Sequence, residues 1–307
     1  MKVFYSERFS ISLPANHTFP MSKYRRLGER LKRSDVAGKL TFREPHEATW
    51  DELHRVHDRD YLQRLEAGRL TGKEVRRIGL PWSPELVARA KHSAGATIDA
   101  CRASIVEGAA VNLGGGTHHA HADFGQGYCL LNDSAVACKA LQADHPSLKV
   151  LILDCDVHQG NGTAALMRSN EAVFTFSIHG ENNFPHKKEP GDLDIALPDN
   201  TDDENYLKAL TGGLLQVQRR FKADMMIYLA GADPFSGDRF GRLALSKDGL
   251  AERDKKVFDF CREHRLPVAV TMAGGYAPDI EDIVDIHVQT VAAALAHCDN
   301  RHSNRKY

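Results

Sequence analysis

Asp154, Asp156 and His158 stand at i, i+2 and i+4, a spacing that turns all three side chains to one face of an extended segment. Carboxylates and an imidazole so placed can hold one ion. With Asp233 from another strand end, the chain offers three ligands and leaves a fourth position open, the layout of a catalytic zinc site. The same donors suit Fe(II) or Mn(II), because affinity order alone does not select a metal. The bland alternatives are a strand end with solvated carboxylates for D-x-D-x-H and a turn aspartate for Asp233. His118 and His119 follow three glycines, Gly114 to Gly116. Glycine lets a backbone approach a ligand closely, so the pair reads as general base and proton shuttle, or else as an exposed loop pair. A histidine acting on water beside a metal needs its other ring nitrogen oriented, and Asp154 and Asn161 flank the metal residues in suitable places. Gly274-Gly275-Tyr276 offers a phenol to a developing oxyanion, or a half-buried aromatic in a turn. Gly127, Tyr128 and Phe184 would supply the walls of a channel. His17, His57 and His179 read as hydrogen-bonding residues, and Lys187-Lys188 as a solvated face.

These residues need elements to hold them. Short apolar runs rich in β-branched residues fall at 109–113, 149–153, 172–178, 225–229 and 267–272, as expected of strands buried on both faces. Helices alternate with them. Thr49-Trp50-Asp51-Glu52 is a capping box ahead of Leu53, Val56 and Leu62, read as one helix. Ser83-Pro84-Glu85 caps another, and apolar residues recur at helical spacing over 203–221, 246–264 and 279–297. The alternation predicts an α/β fold, a single domain over 1–300 with a parallel sheet flanked by helices on both faces, and a polar, mobile tail over 301–307. In such a sheet, ligands bind beyond the carboxyl ends of the strands. Every motif above follows one of the five apolar runs, so all should converge on one cleft.

Composition narrows the function classes. The chain has 307 residues with 40 Lys and Arg against 41 Asp and Glu, a net charge of −1, which argues against direct nucleic-acid binding. No apolar run approaches the ~20 residues of a membrane span. Six scattered cysteines without a C-x-x-C pair exclude a zinc ribbon or disulfide framework, and Cys129 and Cys155 read as structural. The N-terminus turns polar too soon for a signal peptide, so a cytoplasmic protein is expected.

The ordered set Gly115-Gly116-Thr117-His118-His119-Ala120, Gly127-Tyr128-Cys129, Asp154-x-Asp156-x-His158-x-Gly160-Asn161-Gly162, Gly231-Ala232-Asp233 and Gly274-Gly275-Tyr276 resembles the histone deacetylase family of zinc hydrolases. The His-Gln-Gly-Asn-Gly form, with Glu181-Asn182-Asn183-Phe184 and Gly237-Asp238-Arg239, looks most like the class IV branch and its bacterial relatives. The resemblance spans nearly the whole chain, since Val56-His57-Asp58-x-Asp60-Tyr61 also matches. It implies the arginase/deacetylase fold and hydrolysis of an N-acyl-lysine or similar acyl amide. It further implies Asp156, His158 and Asp233 as zinc ligands, His119 as general base and then acid, and His118 as its electrostatic partner. Tyr276 would stabilise the oxyanion, Gly127 and Tyr128 would line the channel, and a structural K+ or Na+ would sit near Asp154, Asp156, His158 and Ser177. Two positions depart from the family pattern. Asn161 stands where most members have aspartate, which should leave the imidazole it orients less basic. Tyr128 stands where phenylalanine is common.

Three other readings compete. A two-manganese, arginase-like hydrolase needs a second D-x-D, which Gly231-Ala232-Asp233-Pro234 lacks. A small-molecule deacylase, such as one acting on acetylated polyamines, would share the site and differ at its mouth, in segments 15–35 and 180–195. A non-catalytic acyl-lysine binding module should have lost Tyr276, a metal ligand or the histidine pair, and none is missing.

Overall fold

A computed structural model describes residues 1–303, with side chains to position 299. Its eight strands are β1 (Lys2–Phe4), β2 (Thr41–Arg43), β3 (Ala109–Asn112), β4 (Val150–Asp154), β5 (Val173–Gly180), β6 (Leu193–Leu197), β7 (Met225–Leu229) and β8 (Val268–Thr271). They form one sheet in the order β2-β1-β3-β8-β7-β4-β5-β6, and every neighbouring pair is parallel. The five predicted strands are β3, β8, β7, β4 and β5, contiguous in the sheet and buried along their whole length. Strands buried on both faces are covered by helices on both sides, as a parallel sheet requires. Because the five are neighbours, their carboxyl-end loops lie side by side.

The helices are α1 (Lys23–Lys32), α2 (Trp50–His54), α3 (Arg59–Glu66), α4 (Gly72–Ile78), α5 (Pro84–Glu107), α6 (Asp133–Asp144), α7 (Asn161–Met167), α8 (Asp203–Arg220), α9 (Lys247–Glu263) and α10 (Ile280–Ser303). The Thr49–Glu52 capping box forms, and Ser83 Oγ accepts the Leu86 N–H at the start of α5. The helix expected to run from Thr49 through Leu62 is two helices instead. His57 is pulled out of the turn between them: its Nδ1 meets the His121 carbonyl at 2.9 Å and its Nε2 accepts the Asn132 N–H at 3.0 Å. Buried imidazole hydrogen bonds outweigh continuation of a short helix there. At the carboxyl end of the chain, α10 continues through Arg301–Ser303, the first residues of the segment expected to be a tail; 304–307 lie outside the described residues. No helix among the described residues is long and apolar enough to cross a membrane.

Candidate metal centre and channel

β4 ends at Asp154, and the chain then bends through 156–158 rather than running on extended, with the Asp156 and His158 N–H groups bonded to Asp154 Oδ1 and Asp156 Oδ1, so that both side chains stand at the strand's carboxyl end. Asp233 follows β7, the strand paired with β4. Each carboxylate is oriented by backbone. Asp156 Oδ2 accepts the Gly274 N–H at 2.7 Å and Asp233 Oδ1 accepts the Val157 N–H at 2.9 Å. The remaining oxygens face His158 Nδ1, Asp156 Oδ1 at 3.0 Å and Asp233 Oδ2 at 3.2 Å. The three side chains can offer ligand atoms that all lie within 4.8 Å of one another. Ligands at ~2.0–2.1 Å around a tetrahedral ion stand about 3.3 Å apart, so this donor set fits a single divalent metal.

Charge makes the same point. Asp233 is fully buried, and burial together with the Asp156 charge holds its carboxyl far above the usual range. Burial works against a charged His158, yet the two carboxylates push it up to about 10. Two buried carboxylates around one imidazole require a shared cation, and a metal supplies it without a proton. A Cβ on Gly274 would collide with Asp233 Oδ2, so only glycine lets the β8 loop come this close.

The histidine pair stands beside this cluster. His118 Nδ1 meets Asp154 Oδ2 at 2.6 Å, His119 Nδ1 meets Asn161 Oδ1 at 2.7 Å, and the two Nε2 atoms are 3.1 Å apart. Both Nδ1 atoms donate to oxygens. Burial opposes charge on His118, but Asp154 and Asp156 prevail and raise it to about 9. Burial and the neighbouring cations His118 and His158 lower His119 well below its ordinary value. The pair therefore holds a cation at His118, whose Nε2–H faces the unprotonated Nε2 of His119 at 3.1 Å. Asn161 contributes orientation without charge. We expect Asn161→Asp to stabilise protonated His119 and move the acid limb of the kcat/KM profile to higher pH, by about one unit or more for a carboxylate in direct contact. An acid limb that stays in place or falls would refute this assignment.

Tyr276 completes the ring of groups. It is half-buried, and its ring lies 6.2 Å from that of His158. Burial, then Asp156 and Asp233, raises its phenol well above the ordinary value, so it stays protonated. Its loop is pinned twice. Asp238 Oδ2 accepts the Tyr276 N–H at 2.6 Å, while the buried Lys23 ammonium donates to the carbonyls of Ala273 and Gly275 at 3.2 and 3.3 Å.

A cavity of about 580 Å³ opens onto His119, His158 and Tyr276. Gly127, Tyr128 and Phe184 line it, with Phe184 edge-on to His119 at 4.9 Å. Gly127 and Tyr128 adopt left-handed φ values of 55° and 65°. A Cβ on Gly127 would stand 2.6 Å from His119 Cδ2, so an alanine would displace the imidazole or the wall. Tyr128 turns its hydroxyl outward to Thr18 Oγ1 at 3.3 Å.

All eleven residues singled out in the sequence thus meet at one end of the sheet. Ser177 is the register partner of Asp154 and lines a small void with it. His17 and His179 make the hydrogen bonds expected of them, to the Gly79 carbonyl and Ser177 Oγ. Lys188 does not belong to a solvated face. Its ammonium donates to the carbonyls of Asn183 and Pro185, bracing the segment that carries Phe184. Sequence reading passed over Lys23 and Arg253. Arg253, fully buried on α9, donates to the Gly231 carbonyl at 2.6 Å and reaches the Cys155 carbonyl at 3.5 Å. It ties together from below the two strand ends that carry Asp156, His158 and Asp233. Its signal in the sequence was slight, an Arg-Asp pair inside an amphipathic helix.

The family model for the histone deacetylase domain matches residues 17–291. An uncharacterized protein of Picosynechococcus sp. is 40% identical over 93% of this chain and 95% of its own. Histone deacetylase 2 of Arabidopsis thaliana is 28% identical over 90% of this chain and 74% of its own. The crystal structure of the HDA15 HD domain superposes with a TM-score of 0.78 at 21% identity, covering 97% of this chain and 94% of that one.

Proposed function

The chain belongs to the histone deacetylase family, and on that premise we propose that it is a zinc-dependent amidohydrolase that removes the acyl group from an N-acyl-lysine or a similar acylated amine. The observation that carries the reading is the joint geometry of a three-residue donor cluster and an unprotonated imidazole nitrogen at the floor of an apolar-walled cavity. A divalent ion held by Asp156, His158 and Asp233 supplies Lewis acidity to the scissile carbonyl and to the attacking water. Zinc fits the donors, and Fe(II) fits them too. A monovalent cation near Asp154, Asp156, His158 and Ser177 belongs to the same reading.

The chain's own groups do the rest. Gly127, Tyr128 and Phe184 flank the acyl-amine stem, which is neutral once acylated and so needs apolar walls rather than an acidic pocket. His119 takes the proton of the attacking water at Nε2 and then delivers a proton to the leaving amine nitrogen. His118, held charged by Asp154, faces His119 Nε2 at 3.1 Å and favours the negative charge that develops on the substrate. Tyr276 donates its phenolic hydrogen to the oxyanion. The His-Gln-Gly-Asn-Gly form supports a place near the class IV branch. A reducing, cytoplasmic setting belongs to the same reading.

Tyr276→Phe tests the assignment. Loss of one positioned oxyanion donor costs on the order of 10²–10³ in kcat, with KM little changed, because the bond strengthens only in the transition state. Equal kcat in the variant would remove Tyr276 from that role.

A further inference from the structure

The mouth of the cavity is lined by arginine and by no acid. Arg76 and Arg77, in the last turn of α4, stand on one bank, and Arg242 with His186 on the other; the lining includes no Asp or Glu among the described residues. The chain as a whole carries −1, so this is a local concentration of positive charge.

The α4 arginines are held in register with the channel. The Arg77 and Ile78 carbonyls accept the N–H groups of Gly127 and Tyr128 at 3.1 and 2.7 Å, so the end of α4 is bonded directly to the channel wall. Neither arginine is neutralised. The acid on their own helix, Glu74, is used by Arg64 and Thr71. Arg77 lies over the Phe124 ring at 4.5 Å, and no ion pair is made by Arg76 or Arg77 among the described residues. Across the opening, Arg242 pairs with Asp199 at 2.8 Å.

We propose that this mouth selects substrates bearing an anionic group next to the acylated amine: Arg76 and Arg77 recognise a carboxylate one or two residues from the acyl-lysine, or the carboxylate of a small acylated amine. The inference rests on the deacylase reading above and narrows it. Cationic flanks, whether of a basic peptide or of an acetylated polyamine, meet like charge at the entrance, and juxtaposed like charges suppress wrong partners. A competing explanation exists for arginines in a last helical turn, since they complement the helix dipole. That role is indifferent to the charge of the substrate, so the two explanations part in the assay.

The experiment uses the zinc-loaded 307-residue protein and three peptides with the same central acetyl-lysine and acidic, neutral or basic flanks. Turnover is read by mass spectrometry and binding by fluorescence anisotropy. The expected order of kcat/KM is acidic, neutral, basic, with about a tenfold span between the extremes at low salt that contracts as salt screens the mouth. In the double variant Arg76→Glu, Arg77→Glu the order reverses, and because the ratio is internal to each protein, a general loss of activity cancels. A parallel pair, Nα,Nε-diacetyl-lysine against its neutral methylamide, identifies the source of the anion: strong preference for the free acid at peptide-like efficiency assigns a small molecule, and preference confined to peptides assigns a protein. Equal turnover of the three peptides, a preference for the basic one, or an unchanged order in the double variant overturns the proposal. If no substrate is turned over, the deacylase reading falls, while anisotropy still ranks the peptides and equal affinities there overturn the charge selection separately.

Discussion

His119→Ala should lower kcat by about 10³-fold or more while the protein still binds one divalent ion per chain. The size follows from the loss of a group that serves as base and then acid, a role worth typically 10²–10⁴. Retention of the ion follows from the geometry. His119 gives its Nδ1 proton to Asn161 and its Nε2 stands 3.1 Å from His118 Nε2, while the cluster that can hold an ion comprises Asp156, His158 and Asp233. Metal content by elemental analysis and turnover of an acyl-lysine peptide are both required. Loss of metal in the variant would make His119 a ligand, and near-normal turnover would assign the base elsewhere.

Asp233→Asn has the other large effect, and its readout needs no substrate. The asparagine keeps an oxygen for the Val157 N–H, which Asp233 Oδ1 accepts at 2.9 Å, so the loop should hold its shape. What disappears is the negative ligand 3.2 Å from His158 Nδ1. Supporting hydrogen bonds around a metal are worth ~10–100-fold in affinity, and loss of a ligand itself should exceed that range. Wild-type protein should therefore melt at a higher temperature as zinc is added, as binding to the folded state alone demands. The variant should show no such rise. Stoichiometric zinc and a wild-type shift in Asp233→Asn would refute the three-ligand assignment.

Much of this was legible in the sequence because the relevant strands are buried on both faces. Such strands read as uninterrupted apolar runs, so the residues at which polarity resumes mark the carboxyl ends where ligands bind. Asp154 through Asn161, His118-His119 and Tyr276 all sit at those breaks. The strands that escaped lack that signature. β1 and β2 have three residues each, and β6 alternates buried Leu193 and Leu197 with exposed Asp194 and Ala196 at the sheet edge. Nor does local periodicity report long-range polar contacts. Nothing near His57 announces that Asn132 will draw it out of a helix, and nothing near Lys23 says that its ammonium will meet the carbonyls around Gly274 from 250 residues away. Arg253 and Lys188 are the same case. A charged residue at a helix face or in a loop reads as solvated until the fold brings carbonyls to it.

The most direct measurement is mass-spectrometric deacylation of peptides bearing acetyl-, butyryl- and long-chain acyl-lysine, with metal-replete protein and again after chelation. The expected result is loss of an acyl group that stops on chelation and returns when zinc is restored. Turnover untouched by the chelator, or no turnover of any peptide with one metal bound per chain, would contradict a metal-dependent acyl-lysine hydrolase.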